Sequence, residues 1–250
     1  MAYKCWAASL GGCSTTMSNE HLITEGVFSR MPLRWAGPAA RFLAGRQSSR
    51  TSFKAKVLCT THNSKLHELD DEAIKLATAL RGLLSAEEPG ETTVRVDGWR
   101  IERWCMKCGC NLLASRWLDR REFAPDAQMV RRIFGDGRLA DDAGLFVVEQ
   151  PAVTLTPEAD RVGWWLFGLE ENPGAIQAIY IQLHGLGLIV STHRGDITGK
   201  LRSVLMEGDG AGMDWSAAEV SHRPAAERLA ARRTFWPAGA MAYLNVHFAW

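Results

Sequence analysis

The chain has no run of about 18 apolar residues, so no membrane-spanning helix is expected. Its opening, MAYKCWAASLGGC, has no basic start followed by an apolar stretch, so no signal peptide is expected. Six cysteines in 250 residues are too few for a disulfide scaffold. A reducing, cytoplasmic setting fits, with thiols free or holding metal. Net charge is almost lacking at +1, which excludes a uniformly basic partner-binding surface but not a local one. No internal repeat or low-complexity tract is visible. Apolar residues at 46% and charged residues at 23% describe an ordinary globular protein, long enough for one or two domains. Ten tryptophans are many for this length and point first to core or interface burial.

The pattern along the chain predicts α+β. Residues 26–56 read mostly as loop, with one short apolar patch, RFLAG. AKVLC (55–59) reads as a short strand. DDEAIKLATALRGLLSAEE (70–88) reads as an amphipathic helix, with Asp70 and Asp71 at its start and Ile74, Leu76, Ala77, Leu80 and Leu84 on its apolar face. PGE (89–91) is a break. TTVRVDGWRIERW begins as a strand and turns into a second helix reaching about Leu118. From about residue 145 the pattern is strands: GLFVVEQPAVTL, RVGWWLFGLE, AIQAIYIQLHGLGLIVSTHR and MAYLNVHFAW, an antiparallel sheet or small sandwich. The division expected is 1–90, a connecting strand and helix over 91–123, and a β-rich domain over 124–250.

Cys59-x2-His62 has the spacing of a zinc knuckle, but structural zinc wants four ligands. Cys5 and Cys13 are the complement, with SLGG as a compliant turn between them. Cys5, Cys13, Cys59 and His62 then form a closed structural Zn²⁺ site. The plainer alternative is two buried free cysteines and an unrelated CxxH. A closed site leaves no open position for catalysis, so chemistry would lie beside it. Glu20-His21 follows Cys13 closely and Asn63 follows His62. A carboxylate and an amide oxygen suit Mg²⁺ or Mn²⁺, and a neutral His21 suits a base that activates water. His67, four residues beyond Asn63, would share its helical face and could add a ligand.

These stretches, SNEHLI, a basic loop and then KVLCTTHNSKL, resemble an HNH endonuclease of the zinc-supported ββα-metal type, over roughly residues 5–70. The resemblance implies an N-terminal ββα-metal module followed by connecting helices and the β-rich C-terminal domain. It implies His21 as general base, Glu20 and Asn63 as catalytic metal ligands, and the three cysteines with His62 as the zinc set. The family's loop-bracing asparagine falls near position 54, where this chain has Lys54. Stand-alone bacterial proteins of this layout often act against phage or other mobile DNA, which makes defence an expectation by analogy.

Charge supports a nucleic-acid partner independently of the resemblance. From Gly26 to His67 there is no Asp or Glu. There are eight cations: Arg30, Arg34, Arg41, Arg46, Arg50, Lys54, Lys56 and Lys65. The total of +1 therefore leaves −7 on the rest of the chain. A basic loop between the two halves of a metal site is what a phosphodiester substrate needs. The expected activity is metal-assisted hydrolysis of nucleic acid, DNA first. The rival expectations are a non-catalytic zinc-stabilised binding module, or a nuclease subunit that acts only with a partner. The C-terminal part could sense, self-associate or bind a protein.

Other motifs are set aside. Cys105-x2-Cys108-x-Cys110 lies on a helical stripe with Ile101, Trp104 and Leu112, which reads as a buried face. Glu102, Arg103 and Lys107 lie elsewhere on that helix. His184, His193, His222 and His247 are scattered and read as structural. EGDGAG (207–212) reads as a loop. Trp164-Trp165 read as sheet core or interface.

Overall fold

The computed structural model describes residues 5–28, 54–115, 125, 127–135, 139, 143–149, 154–155, 162–169, 172–192, 219–231 and 241–250. RFLAG, Arg30, Arg34, Arg41, Arg46, Arg50, His193, EGDGAG and the side chains of Trp164-Trp165 lie outside that description. The described chain is mixed α+β with several sheets and few helices. None of its helices is long and apolar enough to cross a membrane.

Strand β1 (Glu20–His21) pairs antiparallel with β2 (Lys54–Ala55), Glu20 opposite Ala55 and His21 opposite Lys54. Helix α1 (Thr60–Ser64) follows after Cys59, and helix α2 (His67–Leu84) follows after a break at Lys65–Leu66. The helix starts three residues before Asp70, so Asp70 is in its first turn and not ahead of it. Leu69, Ala73, Leu76, Ala77, Leu80 and Leu83 form its buried stripe. Ile74 and Leu84 flank that stripe only partly buried.

Strand β3 (Gly90–Asp97) leads directly into helix α3 (Gly98–Ala114). Asp97 caps that helix, its carboxylate accepting the Arg100 N–H at 3.0 Å. Gly98 is required by a close approach: a Cβ there would lie 2.8 Å from the Trp250 ring. The amphipathic expectation for α3 is only half right. Glu102 and Lys107 are buried together with Ile101, Trp104, Cys105, Cys108 and Leu112. Each buried charge has a partner: Glu102 takes Arg223 at 3.3 Å and the Leu145 N–H at 2.8 Å, and Lys107 takes two carboxylates.

Helix α4 (Ala127–Ile133) precedes the C-terminal strands. These are β4 (Gly144–Glu149), β5 (Thr154–Leu155), β6 (Val162–Leu169), β7 (Asn172–Leu183), β8 (Leu186–Ser191), β9 (Glu219–His222), β10 (Ala226–Ala231) and β11 (Ala242–Ala249). One sheet is antiparallel in the order β6-β7-β8-β4-β9. Its β7–β8 hairpin closes on two residues of positive φ, His184 at 46° and Gly185 at 95°, the geometry a tight hairpin needs. The other sheet, β3-β11-β10-β5, mixes parallel and antiparallel pairs, because β3 lies parallel to β11 and β5 parallel to β10. The strand after residue 90 therefore shares a sheet with the last described one. A single buried cluster runs from Cys5 through α2 and α3 to Phe248, crossing both expected boundaries.

Candidate metal centre

The first described residues are laid along the segment that precedes α1. The Trp6 N–H donates to the Val57 carbonyl at 3.0 Å, Ser18 to Leu58 at 2.8 Å, and Thr60 to Thr16 at 3.0 Å. Met17 and Cys59 form an isolated antiparallel bridge. Between Cys5 and Cys13 the chain reverses at Gly11 and Gly12, both left-handed at φ 73° and 64°. This reversal lets a seven-residue separation do the work of a tight knuckle.

The result is convergence. The ligand atoms of Cys5, Cys13, Cys59 and His62 all lie within 4.8 Å of one another. His62 Nδ1 is 3.4 Å from Cys5 Sγ, 3.5 Å from Cys13 Sγ and 3.2 Å from Cys59 Sγ. A tetrahedral zinc separates sulfur and nitrogen ligands by roughly 3.6 Å. Three soft thiols and one imidazole suit zinc, and this cluster can hold such a metal. Among the described residues it is the one group of three or more Cys, His, Asp or Glu side chains that converges this way. Cys5, Cys59 and His62 are buried, and Cys13 closes the site from the solvent side. The His62 ring sits edge-on against Phe134 at 5.4 Å, which itself packs against Trp6.

The three thiols differ electrostatically. Burial pushes Cys5 up to about 12. Desolvation also raises Cys13. Burial pushes Cys59 the same way, but hydrogen bonds from the backbone of His62 and from Ser14 outweigh it and bring the thiol down to about 6. Cys59 is thus the standing thiolate at neutral pH. A metal must expel protons from the other two sulfurs.

Beside the cluster lies β1. Burial, and then the Lys54 ammonium across the strand pair, lower His21 below the ordinary histidine value and keep its ring neutral. Its Nε2 is 3.2 Å from Glu25 Oε2. Glu20 is buried, and burial raises its carboxyl despite the opposing pull of Lys107. The Asn63 amide hydrogen-bonds Glu20 and also donates to the Ser18 hydroxyl at 3.1 Å. Glu20 and Asn63 are therefore in contact, and His21 is the next residue of the same strand.

Two expectations need correction. His67 is exposed, and its Nδ1 is 2.6 Å from the Ser64 carbonyl. The break between α1 and α2 removes the continuous helical face it was to share with Asn63. Asp70 is no simple cap: its carboxylate accepts from Lys107 at 2.7 and 2.8 Å and from Thr24. Lys107 also reaches Glu20 Oε1 at 2.9 Å. Burial alone would push that ammonium down, but Asp70 and Glu20 outweigh it, so Lys107 stays charged. Lys107 was the residue missed. Its signal, a lysine beside a stripe of Trp, Cys and Leu, reads on any helical wheel as a polar edge.

Of the basic residues, Lys54 sits half-buried on β2, and Lys56 and Lys65 are exposed. His184 and His222 are structural, bonded to the Val27 and Ala143 carbonyls at 2.8 and 3.0 Å. Comparison with protein-family models, with curated proteins and with solved structures finds no match to this chain.

Proposed function

We propose that this protein is a metal-dependent endonuclease of the HNH type, hydrolysing phosphodiester bonds in nucleic acid, with DNA as substrate. The observation that carries the reading is the contact between the Glu20 carboxylate and the Asn63 amide, with a neutral His21 next along β1, beside a Cys3His cluster. Zinc would hold the geometry and take no part in the chemistry. Glu20 and Asn63 offer hard oxygens suited to Mg²⁺ or Mn²⁺, although Lys107 already engages one Glu20 oxygen. When bound, such an ion polarises a phosphate and stabilises the leaving oxygen. His21 takes the proton of the attacking water on its ring nitrogen, which its half-buried, cation-facing position keeps free of a proton. Lys54, opposite His21, and the cations of the basic segment attract the phosphate backbone.

The Lys107 contact favours a second reading. A carboxylate already facing a buried ammonium suits a non-catalytic nucleic-acid-binding module, or a subunit that cuts only with a partner. The test is plasmid cleavage with Mn²⁺ or Mg²⁺ by the parent and by His21→Ala. The expected result is a loss on the order of 10²-fold or more, with zinc content unchanged. Equal rates would remove His21 from the chemistry. If neither protein cuts while both retard DNA on a gel, the binding reading stands instead.

A further inference from the structure

We propose that Asn111, on helix α3 and far from the nuclease-like stretch in sequence, is the positioning residue that fixes His21. This rests on the hydrolase reading above. Strand β1 is only two residues long, so its ladder with β2 constrains the His21 backbone weakly. A base must be held close to its productive geometry, and that needs a second support. Asn111 supplies one: it is fully buried, and its Nδ2 donates to the His21 carbonyl at 3.3 Å. Its Oδ1 accepts from Trp6 Nε1 at 2.9 Å, and Trp6 adjoins the zinc-set residue Cys5. One amide thus ties the metal corner to the His21 backbone.

The neighbouring contact has the same logic. Lys107 lies four residues earlier, one helical turn along the same face, and grips the preceding residue of β1, Glu20. Two consecutive strand residues are held by two side chains at i and i+4. The nuclease pattern has its bracing asparagine near position 54, and here that position is Lys54, on the strand paired with β1. The brace comes from another element of the fold. The competing explanation is that Asn111 only satisfies buried polar groups, as any buried amide must.

The test uses the full zinc-loaded chain and three variants. Asn111→Leu loses both bonds. Asn111→Asp keeps the acceptor for Trp6 and removes the amide donor to His21. Trp6→Phe loses the Trp6 bond alone. For both Asn111 variants kcat is expected to fall about 10- to 100-fold with KM within about twofold and zinc stoichiometry unchanged, a split typical of lost positioning. Trp6→Phe is expected to hold kcat within about threefold despite a comparable fall in Tm. The second readout is independent of cutting: the His21 ring resonances and His21 amide exchange should change in the Asn111 variants and not in Trp6→Phe. If the parent does not cut, the hydrolase reading fails and the resonances alone decide the brace. Unchanged His21 resonances in both Asn111 variants would overturn it, as would kcat falling equally in all three.

Discussion

Two groups of cysteines in this chain have nearly the same local spacing and opposite surroundings. Cys59-x2-His62 caps a short helix, where backbone N–H groups and Ser14 favour its thiolate and two further cysteines arrive from a remote segment. Cys105-x2-Cys108-x-Cys110 lies inside a helix buried among apolar side chains, where desolvation raises the Cys105 and Cys108 thiols. Cys110 packs its sulfur 3.7 Å from the Met129 sulfur. Spacing therefore does not make a metal site. A site needs ligands from separate segments and a surrounding that tolerates thiolate.

Removing one sulfur from each group breaks this comparison most directly. Cys59→Ala is expected to abolish stoichiometric zinc, measured by mass spectrometry, and to cost on the order of 5 kcal/mol in denaturant unfolding, because metal binding and folding are coupled. Zinc retained at parent stoichiometry would mean that the four residues are not one site. Acidification gives a smaller effect on metal-free protein. Cys59 has its folded value depressed to about 6 from 9.0. Its contribution is therefore complete above pH 9 and is lost as pH falls through about 6. Chelated protein is expected to be less stable at pH 6 than at pH 8, and Cys59→Ala should flatten that slope; an identical slope in both would contradict the assignment. Cys105→Ala is the smallest change, expected to cost about 1–2 kcal/mol as a core truncation and to leave zinc untouched. Zinc loss there would merge the two groups.

The metal-ligating set was legible because each half carries its own local signal, a CxxH in one segment and two cysteines around a Gly-Gly turn in the other, and the two halves together make up the four ligands that a closed site wants. The long helix, expected over 70–88 and found over 67–84, and the late strands were legible from their periodicity, whereas the turn at His184-Gly185 splits a stretch that reads as one. What stayed hidden was pairing between remote segments. Lys107 and Glu102 look like the wet edge of a helix until Glu20, Asp70 and Arg223 are brought to them. The parallel pairing of β3 with β11 leaves no local trace, since each strand looks self-sufficient. The spacing of His67 from Asn63 implies a shared face only in one continuous helix, and the break at Lys65–Leu66 separates the two.

That parallel pairing also has a consequence in time. Gly90 and Ala242 are partners, so the β3–β11 sheet waits on closure of a very long loop. Helix α3 starts where β3 ends, with Gly98 seated against Trp250. The metal corner can gather its four ligands within the first quarter of the chain. The start of α3 gains its Trp250 contact only once the strand at 242–249 has docked, while Glu72 and Glu68 of α2 hold Asp97 and Arg100 without it. Convergence of the four metal-ligating side chains and docking of the last strand are thus separable events in assembly, with convergence able to come first.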